Sequence, residues 1–301
     1  MSAFCKHAGV LAGFCLLIPI AINAQDVQPR VYAPAPTGVN LITLGYAYST
    51  GAVLFDKTVP IEDATGDIHS FNVAYSRSIA VFGLAGRADV AVPFVTGNWE
   101  GKVEKSMQST SRTGIGDPVL RYSLFIFGAP ALTRDEFANF QPKTIVGLTL
   151  RIQLPLGQYD ANKLINLGSN RWVFSPQVGV WHVLGRVTFE AYAGVWLFTK
   201  NNEFLGTQTK SQDPLYTFQV HASYLFHNGI WIAVSSRQSL GGAVTVGGGQ
   251  SSDPETNNRL GFTFSVPVMS RYALKLFATT GVTATVGNDY STFGAAWQVV
   301  F

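Results

Sequence analysis

The sequence is short of three things, and each shortage excludes a class of protein. It has two cysteines, Cys5 and Cys15, both within the first 24 residues. Once that stretch is removed on export, the chain has no disulfide framework, no thiolate metal site and no cysteine nucleophile. Charged residues make up only 13% of the chain, against roughly a quarter in ordinary soluble domains, and the formal net charge is +3. Loss of Lys6 leaves +2, too little to make nucleic acid a partner. Long apolar runs are missing too. After Gln25 no stretch reaches the ~18 uninterrupted apolar residues of a membrane helix, and no helical period of useful length is found.

What is present begins with an export leader. Lys6 and His7 give a basic start, Gly9 to Ile20 is apolar, and Ile22-Asn23-Ala24 places Ala before a cut at Gln25. That layout is a signal peptide over residues 1–24, too short to span a bilayer as a helix. A lipidated Cys15 is the rival reading, but Phe14 stands where a small residue is needed.

The remainder combines 13% aromatics and 30 glycines with segments that alternate apolar and polar residues. Val187, Phe189, Ala191, Ala193, Val195 and Leu197 share one face; Thr188, Glu190, Tyr192 and Gly194 share the other. Such segments recur at roughly 39–50, 68–79, 82–95, 113–128, 142–155, 171–184, 186–199, 214–227, 229–239, 255–267, 270–284 and 289–301. Long connections (51–67, 96–112, 156–170, 200–213, 240–254) alternate with tight ones such as Gly185 and His227-Asn228-Gly229, while 129–141 is long for its place and reads as a loop or a short periplasmic helix. Loops sorted in this way mark an all-β, up-and-down antiparallel transmembrane barrel of about twelve strands in an outer membrane. Residues 25–38 are then expected as an N-terminal periplasmic segment and 39–301 as the barrel. The barrel's apolar face meets outer-membrane lipid.

Charges within the strands obey one parity. Arg87 and Asp89 oppose Leu84, Val90 and Val92, while Asp117 and Arg121 oppose Leu120, Tyr122, Leu124 and Ile126. Arg151, Glu190, Arg237, Arg259 and Lys275 follow the same rule, with His221 among inward polar residues. A charge on the lipid face costs roughly 2–4 kcal/mol near the midplane for Arg or Lys, so these residues are expected to line the lumen and set its selectivity. Basic residues outnumber acidic ones in the set. It reads either as an anion-preferring passage or as an ion-pair network bracing a narrow interior. At the C-terminus Phe293, Trp297, Val299 and Phe301 form an aromatic-ended stripe, which resembles the signal read by the barrel-assembly machinery. Trp172 and Trp297 suit the aromatic girdles.

Several motifs in order resemble the outer-membrane family named for the MetA pathway of phenol degradation. They are Gly114-Ile115-Gly116-Asp117-Pro118, Gly157-Gln158-Tyr159-Asp160, Asn166-Leu167-Gly168-Ser169-Asn170-Arg171-Trp172, Asp213-Pro214-Leu215-Tyr216, Gly241-Gly242 and Asn258-Arg259-Leu260-Gly261. The resemblance implies a barrel that transports small solutes, aromatic ones among them. Ala243 departs from it, since a basic residue is expected after Gly242.

Catalysis is not expected. A membrane lipid hydrolase needs an outward Ser beside a His, and His69, His182, His221 and His227 have no such neighbour in the strand pattern. Gly114-Ile115-Gly116 lacks the third glycine and following helix of a dinucleotide site, and Gly247-Gly248-Gly249 lacks a P-loop lysine. Asp160 and Asn162 are too few oxygens for calcium. No metal or cofactor is expected. Two functions remain: a passive or selective channel, and a non-conducting barrel that serves as adhesin or anchor.

Overall fold

The computed structural model describes residues 27–54, 61–103, 106–249, 251–285 and 287–301; the expected leader, 1–24, lies outside them. The strands are β1 (Asn40–Leu54), β2 (Ile61–Val81), β3 (Leu84–Val103), β4 (Ser106–Ile115), β5 (Val119–Phe127), β6 (Thr144–Gln153), β7 (Val173–Leu184) and β8 (Val187–Phe198). They continue with β9 (Asn201–Phe204), β10 (Gln208–Gln212), β11 (Leu215–Leu225), β12 (Trp231–Gly241), β13 (Val244–Val246), β14 (Glu255–Met269), β15 (Tyr272–Thr283) and β16 (Gly287–Val300). One helical turn, α1 (Arg134–Phe137), lies between β5 and β6; Thr133 and Glu136 cap it reciprocally.

Every neighbouring pair is antiparallel, and β1 pairs with β16 from Leu41↔Val300 to Leu54↔Gly287, closing the sheet on itself. β4 and β5 share one stave of the wall, broken at Gly116-Asp117-Pro118, where proline offers no N–H to the ladder. The result is a closed barrel of 12 staves. Its periplasmic turns are tight because the residues permit it. Phe82 (φ 49) and Gly83 (φ 80) link Val81 to its partner Leu84, the left-handed pair that a two-residue hairpin requires.

The two faces of the wall are inverted relative to a soluble barrel. Phe189, Phe218, Val220, Val234 and Phe262 are exposed on the outside, Val220 to 58%. Arg87, Arg151, Glu190, His221, Arg237, Arg259 and Lys275 are buried inside. Lipid, which offers backbone groups no partners, is the surroundings in which a closed sheet of this polarity is stable.

Three expectations change. First, residues 27–36 do not sit in the periplasm but run up inside the barrel. Tyr32 is 0% exposed and packs with Val31, Ala33, Phe125, Ile145, Trp181 and Tyr192. The segment leaves at the bottom, where Thr37 N donates to Leu132 O and Gly38 N to Ser78 O. Second, the loop expected at 96–112 is largely the β3–β4 hairpin, paired from Phe94↔Ile115 to Val103↔Ser106. Thr, Val and Trp99 in this stretch suit a strand, and facing threonines bond across it (Thr96 Oγ1 to Thr113 Oγ1, 2.7 Å). Third, the loops at 200–213 and 240–254 meet in a small three-stranded sheet, β13-β10-β9, over the outer rim.

Candidate functional site: the lumen and its outer mouth

The lumen is organised around the inserted segment. Gly147 and Gly179 on β6 and β7 leave room for the Tyr32 ring: a Cβ on either would come 2.2 Å or 2.1 Å from it. The phenol oxygen accepts from Thr149 Oγ1 (3.1 Å) and Gln177 Nε2 (3.2 Å). Just before it in the chain, Arg30 N donates to both oxygens of Glu190 (2.9 and 2.8 Å) and Val31 N to Tyr192 Oη (3.2 Å). Tyr192 Oη in turn donates to Glu190. The Arg30 guanidinium lies over the Trp231 ring, 5.2 Å from its centre. Backbone N–H groups of a strandless segment would be costly to bury without such partners.

The residues expected to line the passage fall into separate groups. Asp89 joins Arg87 (3.2 Å) and Arg121 (2.7 Å), and Arg121 also holds Gln28 of the inserted segment (2.8 Å). Arg151 stacks over Trp196 at 4.9 Å. Arg237 and Arg259 face each other across β12 and β14, and Arg259 also donates to the Tyr290 carbonyl. Glu255, which the strand pattern did not single out, is within electrostatic reach of both. His221 is buried against Tyr192 and bonded to Ser235 (2.8 Å). Lys275 is buried on β15. Glu190 does not brace a wall arginine; it receives the inserted backbone instead. Beside that segment a cavity of about 40 Å³, room for a few waters, is bordered by Gln28, Arg121, Arg151, Gln177, Gln219 and Arg237.

Asp117 sits higher and does a different job. Its Oδ1 accepts from Gly157 N (2.9 Å), and its Oδ2 from Gln153 Nε2 (2.9 Å), Ser169 N (2.8 Å) and Ser169 Oγ (2.6 Å). The carboxylate therefore folds loop 154–172 onto the mouth rather than facing the passage. Gly157 and Gly168 are required there, since a Cβ would come 2.7 Å from Asp117 N or 2.6 Å from Gly157 O. Asp160 lies in the same loop. The Asn162 N–H, then the Lys163 ammonium, hold its carboxyl below the usual range.

At the rim, Arg171 lies over Phe198 at 4.4 Å and donates to Gln212 Oε1 (2.5 Å). Lys210 Nζ lies over Phe204 at 4.9 Å. Burial lowers Arg171 to about 10, and burial together with the Arg171 charge lowers Lys210 to about 8. Ala243, the departure noted above, accepts the Asp213 N–H through its carbonyl. Phe293, Trp297 and Phe301 project outward in one exposed stripe.

The family model described as MetA-pathway of phenol degradation matches residues 55–299. The chain belongs to that family. Three of the motifs quoted for the resemblance, 114–118, 157–160 and 166–172, are brought together around Asp117. No curated protein matches the sequence. Among solved structures, an outer membrane channel from Pseudomonas putida F1 is similar at 19% identity and a TM-score of 0.76, over 92% of this chain and 100% of that one. The β-domain of the Bordetella autotransporter BrkA is similar at 9% identity and a TM-score of 0.52, over 88% and 100%. At these identities the likeness concerns the fold, a closed barrel of the outer membrane.

Proposed function

We propose that the protein is a narrow outer-membrane channel that passes small solutes and favours anions. The observation that carries this reading is the lumen itself: Arg121, Arg151 and Arg237 border a cavity with room for a few waters beside the inserted segment. Fixed positive charge in a confined, low-dielectric passage raises the local concentration of anions. The family and the likeness to a channel from Pseudomonas putida agree with it, and the family's name is the reason to include aromatic compounds among the solutes. Residues 27–36 set the width, so conduction is expected to be small while they remain in place.

The test is reconstitution in a planar bilayer with a salt gradient. The reversal potential is expected to show anion preference, weakened by R121Q and by R151Q. A cation preference would refute the reading. The filled lumen favours one alternative, a non-conducting barrel used as an anchor or adhesin. Silence of the wild type, and of a variant lacking residues 27–36, would decide for that alternative.

A further inference from the structure

The rim pair Arg171 and Lys210 has an arrangement that the ion pairs lower in the barrel do not explain. Arg171 precedes β7 and faces inward; Lys210 and Gln212 lie two apart on β10 and so share a face. Gln212 accepts from Arg171, which brings the two cations into each other's field. Neither forms an ion pair with a carboxylate among the described residues, and the Arg171 Nη1, a buried atom, has no hydrogen-bond partner there. Among the described residues, Asp117 is the one carboxylate whose charge reaches Arg171, and both its oxygens are committed to loop 154–172. Of the neighbouring elements, β9 carries Glu203, whose Oε2 accepts from Asn170, and β13 carries no ionisable residue. Below the pair lies an apolar floor of Val173, Trp196, Leu215 and Phe198.

Two partly desolvated like charges repel, and the sheet that holds them gains nothing from their closeness. An anion placed between them relieves the repulsion and supplies the missing acceptor for Nη1. The floor and the two rings, Phe198 and Phe204, suit an apolar body behind a single charge better than a hydrated dianion. We infer that Arg171 and Lys210 form a binding site at the outer mouth for a small monocarboxylate with an apolar body. The carboxylate takes the free Arg171 N–H and the Lys210 ammonium, and its body rests on Phe198 and Phe204. Binding does not depend on conduction. A role as the point where solute is admitted rests on the channel reading.

The probe is benzoate, titrated calorimetrically into the full barrel in detergent at fixed ionic strength, with benzamide as its neutral counterpart and phosphate as a dianion. Benzoate is expected to bind, with benzamide and phosphate at least about tenfold weaker. R171Q and K210M are each expected to weaken benzoate about tenfold, while R186Q, in a periplasmic turn, leaves it unchanged. Raising the pH from about 7 to about 9 removes the proton from Lys210, so affinity falls in the wild type and stays level in K210M. Equal affinity in wild type, R171Q and K210M, or equal binding of benzamide, would overturn the site, as would failure of the wild type to bind benzoate. If R171Q does not fold, K210M, on a strand outside the barrel wall, carries the test alone. Intact binding in a barrel that is silent in bilayers both with and without residues 27–36 would end the channel reading and leave this site standing.

Discussion

Tyr32 shows how much one side chain can decide in a barrel. It fills the hollow left by Gly147 and Gly179, contacts Phe125 and Tyr192 edge-on, and accepts two hydrogen bonds. Truncating a fully buried aromatic costs about 3–5 kcal/mol. Here that loss bears on a segment of about ten residues rather than on the whole fold. Y32A is therefore expected to free the segment while the wall stays closed. A cysteine placed at Gln28 gives the measurement, because the native cysteines both lie in residues 1–24. Maleimide labelling of Q28C is expected to be slow in the wild-type background and at least about tenfold faster with Y32A. Equal rates would show that the segment is held by other contacts.

Among the elements, loop 154–172 depends on one carboxylate. D117N keeps an acceptor but loses the charge that strengthens four hydrogen bonds, at a cost of about 2 kcal/mol. Lys163 in this loop is exposed, so limited trypsin digestion is expected to cut D117N there at a concentration the wild type resists. The strands themselves could be read from the sequence, because period-2 alternation assigns every inward and outward side chain at once. The same alternation is why Arg87, Arg151, Glu190, Arg237, Arg259 and Lys275 are all buried while their strand neighbours are turned outward. The inserted segment could not be read in the same way. Residues 27–38 have no alternation, and their partners, Glu190, Tyr192 and Gln177, are more than a hundred residues away. Asp117 was placed on its stave, but nothing local distinguishes a lumen carboxylate from one that folds a loop 40 residues on. Likewise nothing in the sequence singles out Lys210 within the connection 200–213, since its neighbour Arg171 is brought to it only by the sheet over the rim.

For the molecule as a whole, closure is the condition of stability. An open edge exposes unpaired N–H and C=O groups to lipid, and each costs several kcal/mol. The last residues are part of that closure: Asn40 N donates to Phe301 O and Phe301 N to Asn40 O, both at 3.0 Å. Removing Gln298–Phe301 takes away the partners of Asn40 to Thr43 and part of the outward stripe of Trp297, Val299 and Phe301. The truncated chain is expected to lose the heat-modifiable migration in detergent gels that marks a closed barrel. A shift of normal size would show that the seam tolerates fraying at this end.

The β1–β16 seam has a topological consequence for the segment that precedes β1. Once the first and last strands have zipped together, residues 27–36 are encircled, tethered at Thr37 and Gly38 like a bolt hinged at the base of its sleeve. The closed wall leaves that segment one route in or out, along the axis of the barrel. A lateral passage between strands would break paired backbone groups against lipid, so the wall acts on the segment as a guide rather than a door.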